Sequence, residues 1–366
     1  MVPTRTAHPF WMYDELMATP AALDALLGAS EAEQARRAQI AARLAAAQTV
    51  YFTGCGTAYH AALVGAALLR AATEGRLDAR AAQAFELTHY AQPAPGPQDA
   101  LVVLSHSGQP SATNAALARA KAAGAYVVTI TGAAQSPAAQ AADAVLETGY
   151  AETRSFAYTI SYSLMLALLA DLATWAGIAA SGERAFGEAA RAIPAWHRAA
   201  LAQSEAIRAL AHRWRARARW IFAGAGANWA TALEAGLKMQ ETNYTASQGM
   251  QMEEVLHGPV AALGEAVLVV IAPPGAGRER ALDLLRAARL LGGEALALGE
   301  AGDTALVEAA SAFVPLPAGP EALAPLPYHV PLHLLSYWLA VAKGTNPDLM
   351  RREDPRYLAA RQSYTL

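Results

Sequence analysis

Apolar positions along the chain fall into short unbroken runs, and these alternate with longer stretches in which apolar residues recur at helical spacing. The runs include YFTG at 51–54, ALVVL at 100–104, AYVVTITG at 125–132, IFAG at 221–224, AVLVVIA at 266–272 and GEALALGE at 293–300. Each is short enough for a strand, ends at a turn and is apolar on both faces, which suits strands buried on two sides. Strands of this kind separated by helices of about ten to fifteen residues point to right-handed βαβ units, and so to an α/β protein with parallel sheets covered on both faces.

The pattern occurs twice. Residues 51–69, YFTGCGTAYHAALVGAALL, align without gaps on 221–239, IFAGAGANWATALEAGLKM, pairing Phe52 with Phe222, Gly54 with Gly224, Gly56 with Gly226 and Leu63 with Leu233. The following runs correspond as well, so two similar α/β domains are expected, at 30–180 and 205–345. Residues 1–29 read as an N-terminal helical segment, 181–204 as a helical connector, and 346–366 as an extended tail without a core of its own.

Composition narrows the function. The chain of 366 residues is 54% hydrophobic and 16% charged with a net charge of -3, which gives no electrostatic reason to expect nucleic acid. A single cysteine suits a reducing cytoplasm, and the N-terminal stretch lacks the apolar core of a secretion signal. ISYSLMLALLADLATWAGIAA at 160–180 is the most membrane-like run, but Asp171 interrupts it and it reads as a buried helix, so no membrane is expected. Lysine occurs only at Lys121, Lys238 and Lys343, which raises the question of what each amine does that arginine would not.

The turn GCGTAYH at 54–60 follows a strand and opens a helix, yet it lacks the third glycine of a dinucleotide fingerprint, and the second strand ends in SHSG rather than an acid. No Walker loop is present. The loop Ser105-His106-Ser107-Gly108-Gln109-Pro110-Ser111 gathers hydroxyls at a helix start, an arrangement that suits either a phosphate or ordinary capping. Its counterpart, APPGAGRER at 272–280, has far fewer hydroxyls, so only the first half looks built for phosphate. No cofactor is expected, and His60 and His106 have no cluster of ligands around them that would suggest a metal.

CGTAYHA at 55–61, SHSG at 105–108 and LKMQETNYTASQGMQMEEVLHGP at 237–259 together resemble the tandem sugar isomerase (SIS) domains of the isomerase half of glucosamine-6-phosphate synthase and its relatives. The resemblance implies two flavodoxin-like domains, each a five-stranded parallel sheet flanked by helices. It also implies a cytoplasmic homodimer with a phosphosugar held in the first domain. Ser105, His106 and Ser107 would form the phosphate loop beside Cys55, Gly56 and Thr57. FAYTIS at 156–161, with Ala157 and Tyr158, would close the other side of the sugar, and the tail would close on the site. The glutamine-hydrolysing domain of the synthase has no counterpart in the sequence.

By the same resemblance Glu241 is the base that moves a proton between C1 and C2 through an enediol, with Lys238 three residues earlier on the same helical face. His257 corresponds to a histidine that opens the sugar ring in the neighbouring subunit, and Glu254 to a glutamate that orients it. Cys55 lines the sugar rather than acting as a nucleophile. Three departures from the family pattern stand out. Ala58 replaces a serine, and Pro110 removes a hydroxyl that Ser111 would have to supply. Ala360 takes the place of an imine-forming lysine, with Arg361 next to it. The expectation is a phosphosugar isomerase or an amino-sugar-phosphate deaminase. A deglycase acting on a sugar–amine adduct and a phosphosugar sensor without catalysis are the alternatives.

Overall fold

The apolar runs become the inner strands of two all-parallel sheets in the computed structural model, which describes residues 3–90, 93–152 and 154–365. The first sheet contains β1 (Thr49–Gly54), β2 (Asp78–Gln83), β3 (Ala100–Leu104), β4 (Tyr126–Thr131) and β5 (Ala144–Glu147) in the order β2-β1-β3-β4-β5. The second contains β6 (Arg219–Gly224), β7 (Ala246–Gln251), β8 (Val267–Ala272), β9 (Glu294–Glu300) and β10 (Ala312–Leu316) in the order β10-β9-β8-β6-β7. Read from the other edge, the second order repeats the first, and both have the doubly wound 2-1-3-4-5 arrangement.

Two compact units result. One holds the first sheet and runs from Thr19 to Glu152 with Ile160–Ile193 and Asp354 to Thr365. The other holds the second sheet, in Pro194–Glu353, together with the described residues up to Ala18 and the short segment Arg154–Thr159.

In the first unit, Leu101, Val103 and Val127 face Ala116, Leu117 and Ala120 of the helix Ser111–Ala122. The helix Ile160–Ser181 is long and apolar enough to cross a membrane by composition alone, with a mean hydropathy of 1.7, but 72% of that window is buried inside the protein. It packs on the helices Thr57–Ala72 and Glu31–Ala45, close enough that a Cβ on Gly65 would lie 2.8 Å from Leu169. Asp171 is accommodated by Arg37, whose Nη1 lies 3.2 Å from its carboxylate. Burial raises the Asp171 pKa above the usual carboxylate range, with Arg37 opposing.

In the second unit the alternation along one strand shows a sheet covered twice. Val267, Val269 and Ile271 join a core with Phe222, Met239 and Trp338, while Leu268, Val270 and Ala272 join another with Leu282 and Leu285. Asp348 caps the N-terminal helix, accepting the Trp11 N–H at 2.9 Å and the Met12 N–H at 2.8 Å.

The repeated glycines have physical causes. Gly56 and Gly226 both adopt φ of 55°, the left-handed region, and a Cβ on Gly224 would lie 2.1 Å from the Asn228 carbonyl. The extended tail expected at 346–366 is corrected by a helix, Pro355–Gln362, started by an Asp354 side chain that accepts the Arg356 N–H at 2.9 Å. Its residues pack into no core.

Candidate active site

In the first unit, β3 ends at Leu104 and the chain enters the loop that the hydroxyls had marked. Ser105 Oγ accepts the Gly108 N–H at 3.1 Å, and Ser107 Oγ accepts the Gln109 N–H at 3.4 Å. Gly108 holds φ of 62°, and Asn114 Nδ2 donates back to the Gly108 and Gln109 carbonyls at 3.2 and 3.1 Å. Ser111 is the first residue of the helix, and the cap position is Pro110, which offers no side-chain hydrogen bond. The serines therefore shape the loop, and no side chain caps the helix start at Pro110.

His106 in this loop is buried, its ring so close that a Cβ on Gly132 would lie 2.9 Å from Nδ1. Burial lowers its pKa to about 4, so the imidazole is neutral and contributes polarity without charge. Cys55, half-buried at the adjacent turn, receives long contacts from Gln83 Nε2 at 3.5 Å and Thr113 Oγ1 at 3.7 Å. Cys55 also packs against the apolar cluster that holds Leu101, Val103 and Leu117.

The corresponding loop of the second unit, Ala272 to Gly277, supplies its own anion. Glu321 Oε2 accepts the Ala276 N–H at 3.3 Å, and a Cβ on Gly275 would lie 1.9 Å from the same oxygen. A carboxylate thus occupies the approach to the helix Arg278–Leu290, and the loop has prolines where the first has hydroxyls.

The second unit holds a buried charged triad. The helix Asn228–Asn243 places Glu234, Lys238 and Glu241 on one face by i+4 and i+3 spacing. Lys238 has no solvent exposure, and its Nζ lies 3.1 Å from Glu234 Oε1 and 2.6 Å from Glu241 Oε2. Burial by itself would lower the Lys238 pKa, but the two carboxylates outweigh it and hold the ammonium above its ordinary value. Glu234 is sealed with it, whereas Glu241 keeps 13% of its side chain exposed, so the Glu241 end of the triad is the end open to solvent.

The segment Arg154–Thr159 belongs to the same unit and brings Ala157 and Tyr158 with it. Glu15 accepts the Arg154 and Ser155 N–H groups at 2.9 and 3.3 Å, the Phe156 N–H donates to the Asp348 carbonyl at 3.0 Å, and Arg352 stacks 3.4 Å over the Phe156 ring. Burial raises the Tyr158 pKa; Arg352 and Lys238 oppose this, while Glu241 and Glu15 add to it. Tyr158 therefore shares the electrostatic neighbourhood of Glu241 and Lys238.

His257 lies elsewhere. Glu241 precedes β7 and His257 follows it, so a strand of six residues, roughly 20 Å long, separates them. The imidazole is 68% exposed, and its Nε2 lies 3.3 Å from Glu253 Oε1, while Arg280 Nε lies 2.7 Å from Glu253 Oε2. The orienting role expected of Glu254 is thereby corrected: its carbonyl accepts the His257 N–H at 3.2 Å, and the neighbouring Glu253 carboxylate meets the ring. Arg361 lies on the tail helix of the first unit, partly exposed. Glu234, Glu253 and Arg352 were missed in the sequence, although the E-x3-K-x2-E spacing of Glu234, Lys238 and Glu241 was a readable signal for the first.

The SIS domain model matches residues 43–174 and again 214–343. Glutamine–fructose-6-phosphate aminotransferase (isomerizing) of Pyrococcus horikoshii is 34% identical over 305 residues, covering 82% of this chain and 50% of that protein. The same enzyme of Thermococcus kodakarensis is 30% identical over 360 residues, covering 95% of this chain and 58% of that protein. The chain thus spans about half the length of these relatives. Among solved structures, the C-terminal domain of glucosamine-fructose-6-phosphate aminotransferase from Francisella tularensis superposes with a TM-score of 0.83 at 21% identity, covering 94% of this chain and 99% of that one. Glucosamine-6-phosphate deaminase from Thermotoga maritima gives 0.74 at 20% identity, covering 92% and 96%, and both likenesses are of fold. With one match on each of its two five-stranded parallel sheets, the chain belongs to the SIS domain family.

Proposed function

We propose that this chain is an enzyme that moves a proton between C1 and C2 of a 6-phosphorylated ketose or amino sugar, acting as a phosphosugar isomerase or an amino-sugar-phosphate deaminase in the cytoplasm. The observation that carries this reading is the 2.6 Å contact between the partly exposed Glu241 carboxylate and the buried Lys238 ammonium. A carboxylate beside a fixed positive charge can accept a proton from carbon and return it to the neighbouring carbon, the ammonium stabilising its ionised form before and after the transfer. When Glu241 becomes neutral in that step, Lys238 keeps an ionised partner in Glu234 and the buried charge stays compensated.

The reading assigns the phosphate to the Ser105–Ser107 loop, where hydroxyls and N–H groups of a helix start hold an anion without a cation. It assigns ring opening to His257, delivered to the site of a second copy in a homodimer, because β7 carries that residue away from Glu241 of its own chain. Ala360 has no amine to form an imine and Arg361 offers a guanidinium in its place, which favours isomerisation or deamination over imine-dependent amino transfer.

The test is to incubate the protein with glucosamine 6-phosphate, and with fructose 6-phosphate with and without ammonium, following ammonia and ketose together. Interconversion of ketose and aldose, or release of ammonia, supports the reading. Phosphosugars that raise the melting temperature without any turnover would replace it with a phosphosugar sensor.

A further inference from the structure

We propose that His333 is a positioning residue for Glu241, acting through Glu234 and Lys238; its catalytic meaning rests on the reading of Glu241 as the base. The helix Pro325–Lys343 packs on Asn228–Asn243, and on it His333 is fully buried with its Nε2 3.5 Å from Glu234 Oε1. From there the polar line continues to Lys238 Nζ at 3.1 Å and to Glu241 Oε2 at 2.6 Å. Four groups thus form one row, from a sealed interior to the single member with solvent access.

The charges explain what the row needs. Glu234, Lys238 and Glu241 carry two negative charges and one positive, and a buried carboxylate short of donors takes up a proton rather than stay ionised. With its proton on Nε2, His333 turns the positive end of its ring dipole towards Glu234 at 3.5 Å and favours its charged form. That matters most when Glu241 holds the substrate proton, because Glu234 is then the anion left opposite Lys238. The groups facing His333 are Glu234 and Lys238 on the packed helix and His329 on its own, whose ring centroid is 5.0 Å away. His197 of the helix Ile193–Leu201 lies 5.3 Å beyond His329, whose Nδ1 is engaged by the Pro325 carbonyl at 2.8 Å. Burial lowers the His333 pKa, Glu234 opposes this and Lys238 adds to it; His329 lies well below its ordinary value for the same first cause. The ring therefore acts as a neutral dipole.

The chain's three lysines make the experiment direct, since a protein labelled with 15N-lysine shows three side-chain amines. The Lys238 ammonium is followed through an acid titration in the wild type, His333→Leu and His333→Gln, and kcat and KM are measured on whichever phosphosugar turns over. The expected result is an acid midpoint sensed at Lys238 about one pH unit higher in the leucine variant. Its kcat should fall about tenfold with KM within twofold, and glutamine, which restores an N–H donor, should recover most of both. An unmoved midpoint, or equal losses in both variants, would reduce His333 to packing. Should the leucine variant not fold, 15N-histidine spectra of the wild type decide: a His333 ring with its proton on Nδ1 overturns the proposal. Glu241→Gln is assayed alongside. Full turnover there discards the base, whereas the Lys238 midpoint still reports on His333.

Discussion

The Nζ of Lys238 lies 2.6 Å from Glu241 Oε2, with the lysine side chain wholly removed from solvent and the glutamate partly open to it. The lysine is therefore part of the interior, and removing it leaves Glu234 and Glu241 as neighbouring carboxylates without the ammonium between them. Lys238→Met is expected to cost about 3–5 kcal/mol, read as a lower urea midpoint. Activity should be lost even at temperatures where the variant remains folded by circular dichroism.

Acid should destabilise the protein before its carboxylates are titrated. His106 has a pKa of about 4 in the folded state, against about 6.5 in the unfolded chain, so between those values the unfolded state binds more protons. Stability is full above about pH 6.5 and is lost as pH falls towards 4, by up to about 3 kcal/mol for this group. His329 and His333, both lowered by burial, act in the same direction. Thermal scans across this range should show a steep fall in the wild type and a shallower one in His106→Gln.

Ser107→Ala should weaken binding of a phosphosugar by roughly 10- to 100-fold, the scale of a lost hydrogen bond to a charged group. The same variant should bind the unphosphorylated sugar as the wild type does. Glu321→Ala, at the corresponding loop of the second unit, should leave phosphosugar affinity unchanged. Calorimetry with both ligands distinguishes these outcomes.

Asp348 caps the helix Trp11–Leu27 through two backbone N–H groups. Asp348→Ala should lower stability by about 1–2 kcal/mol, and Asp348→Asn, which keeps an acceptor oxygen, by less.

The sequence was legible where burial is complete. All five residues of β3 and all six of β8 are buried, so their apolar runs identify them at once. The edge strands β2 and β7 went unseen because DARAAQ and ASQGMQ each bury one residue fully, Ala79 and Ser247, and their polar composition reads as loop. One sign of the repeat was also hidden there. Gln83 and Gln251 end those strands and cap the next helices alike, each accepting two backbone N–H groups at 2.6 and 3.2 Å. The tail helix had its signal in Asp354-Pro355, a cap followed by a first-turn proline, which the surrounding charge obscured. Glu241 and Lys238 could be paired by spacing, but the Glu253 contact to His257 and the Arg352 stack on Phe156 depend on side-chain placement that no spacing rule supplies.

The most direct test of the account is solvent deuterium exchange. Wild-type protein and Glu241→Gln are incubated in D2O with fructose 6-phosphate, glucose 6-phosphate and glucosamine 6-phosphate, and the sugar C1 and C2 protons are followed by NMR. Deuterium is expected at these carbons for at least one of the three with the wild type, and at a rate lower by about 10²- to 10⁴-fold in the variant. Exchange that survives in Glu241→Gln, or its absence with every phosphosugar that raises the melting temperature, would contradict it.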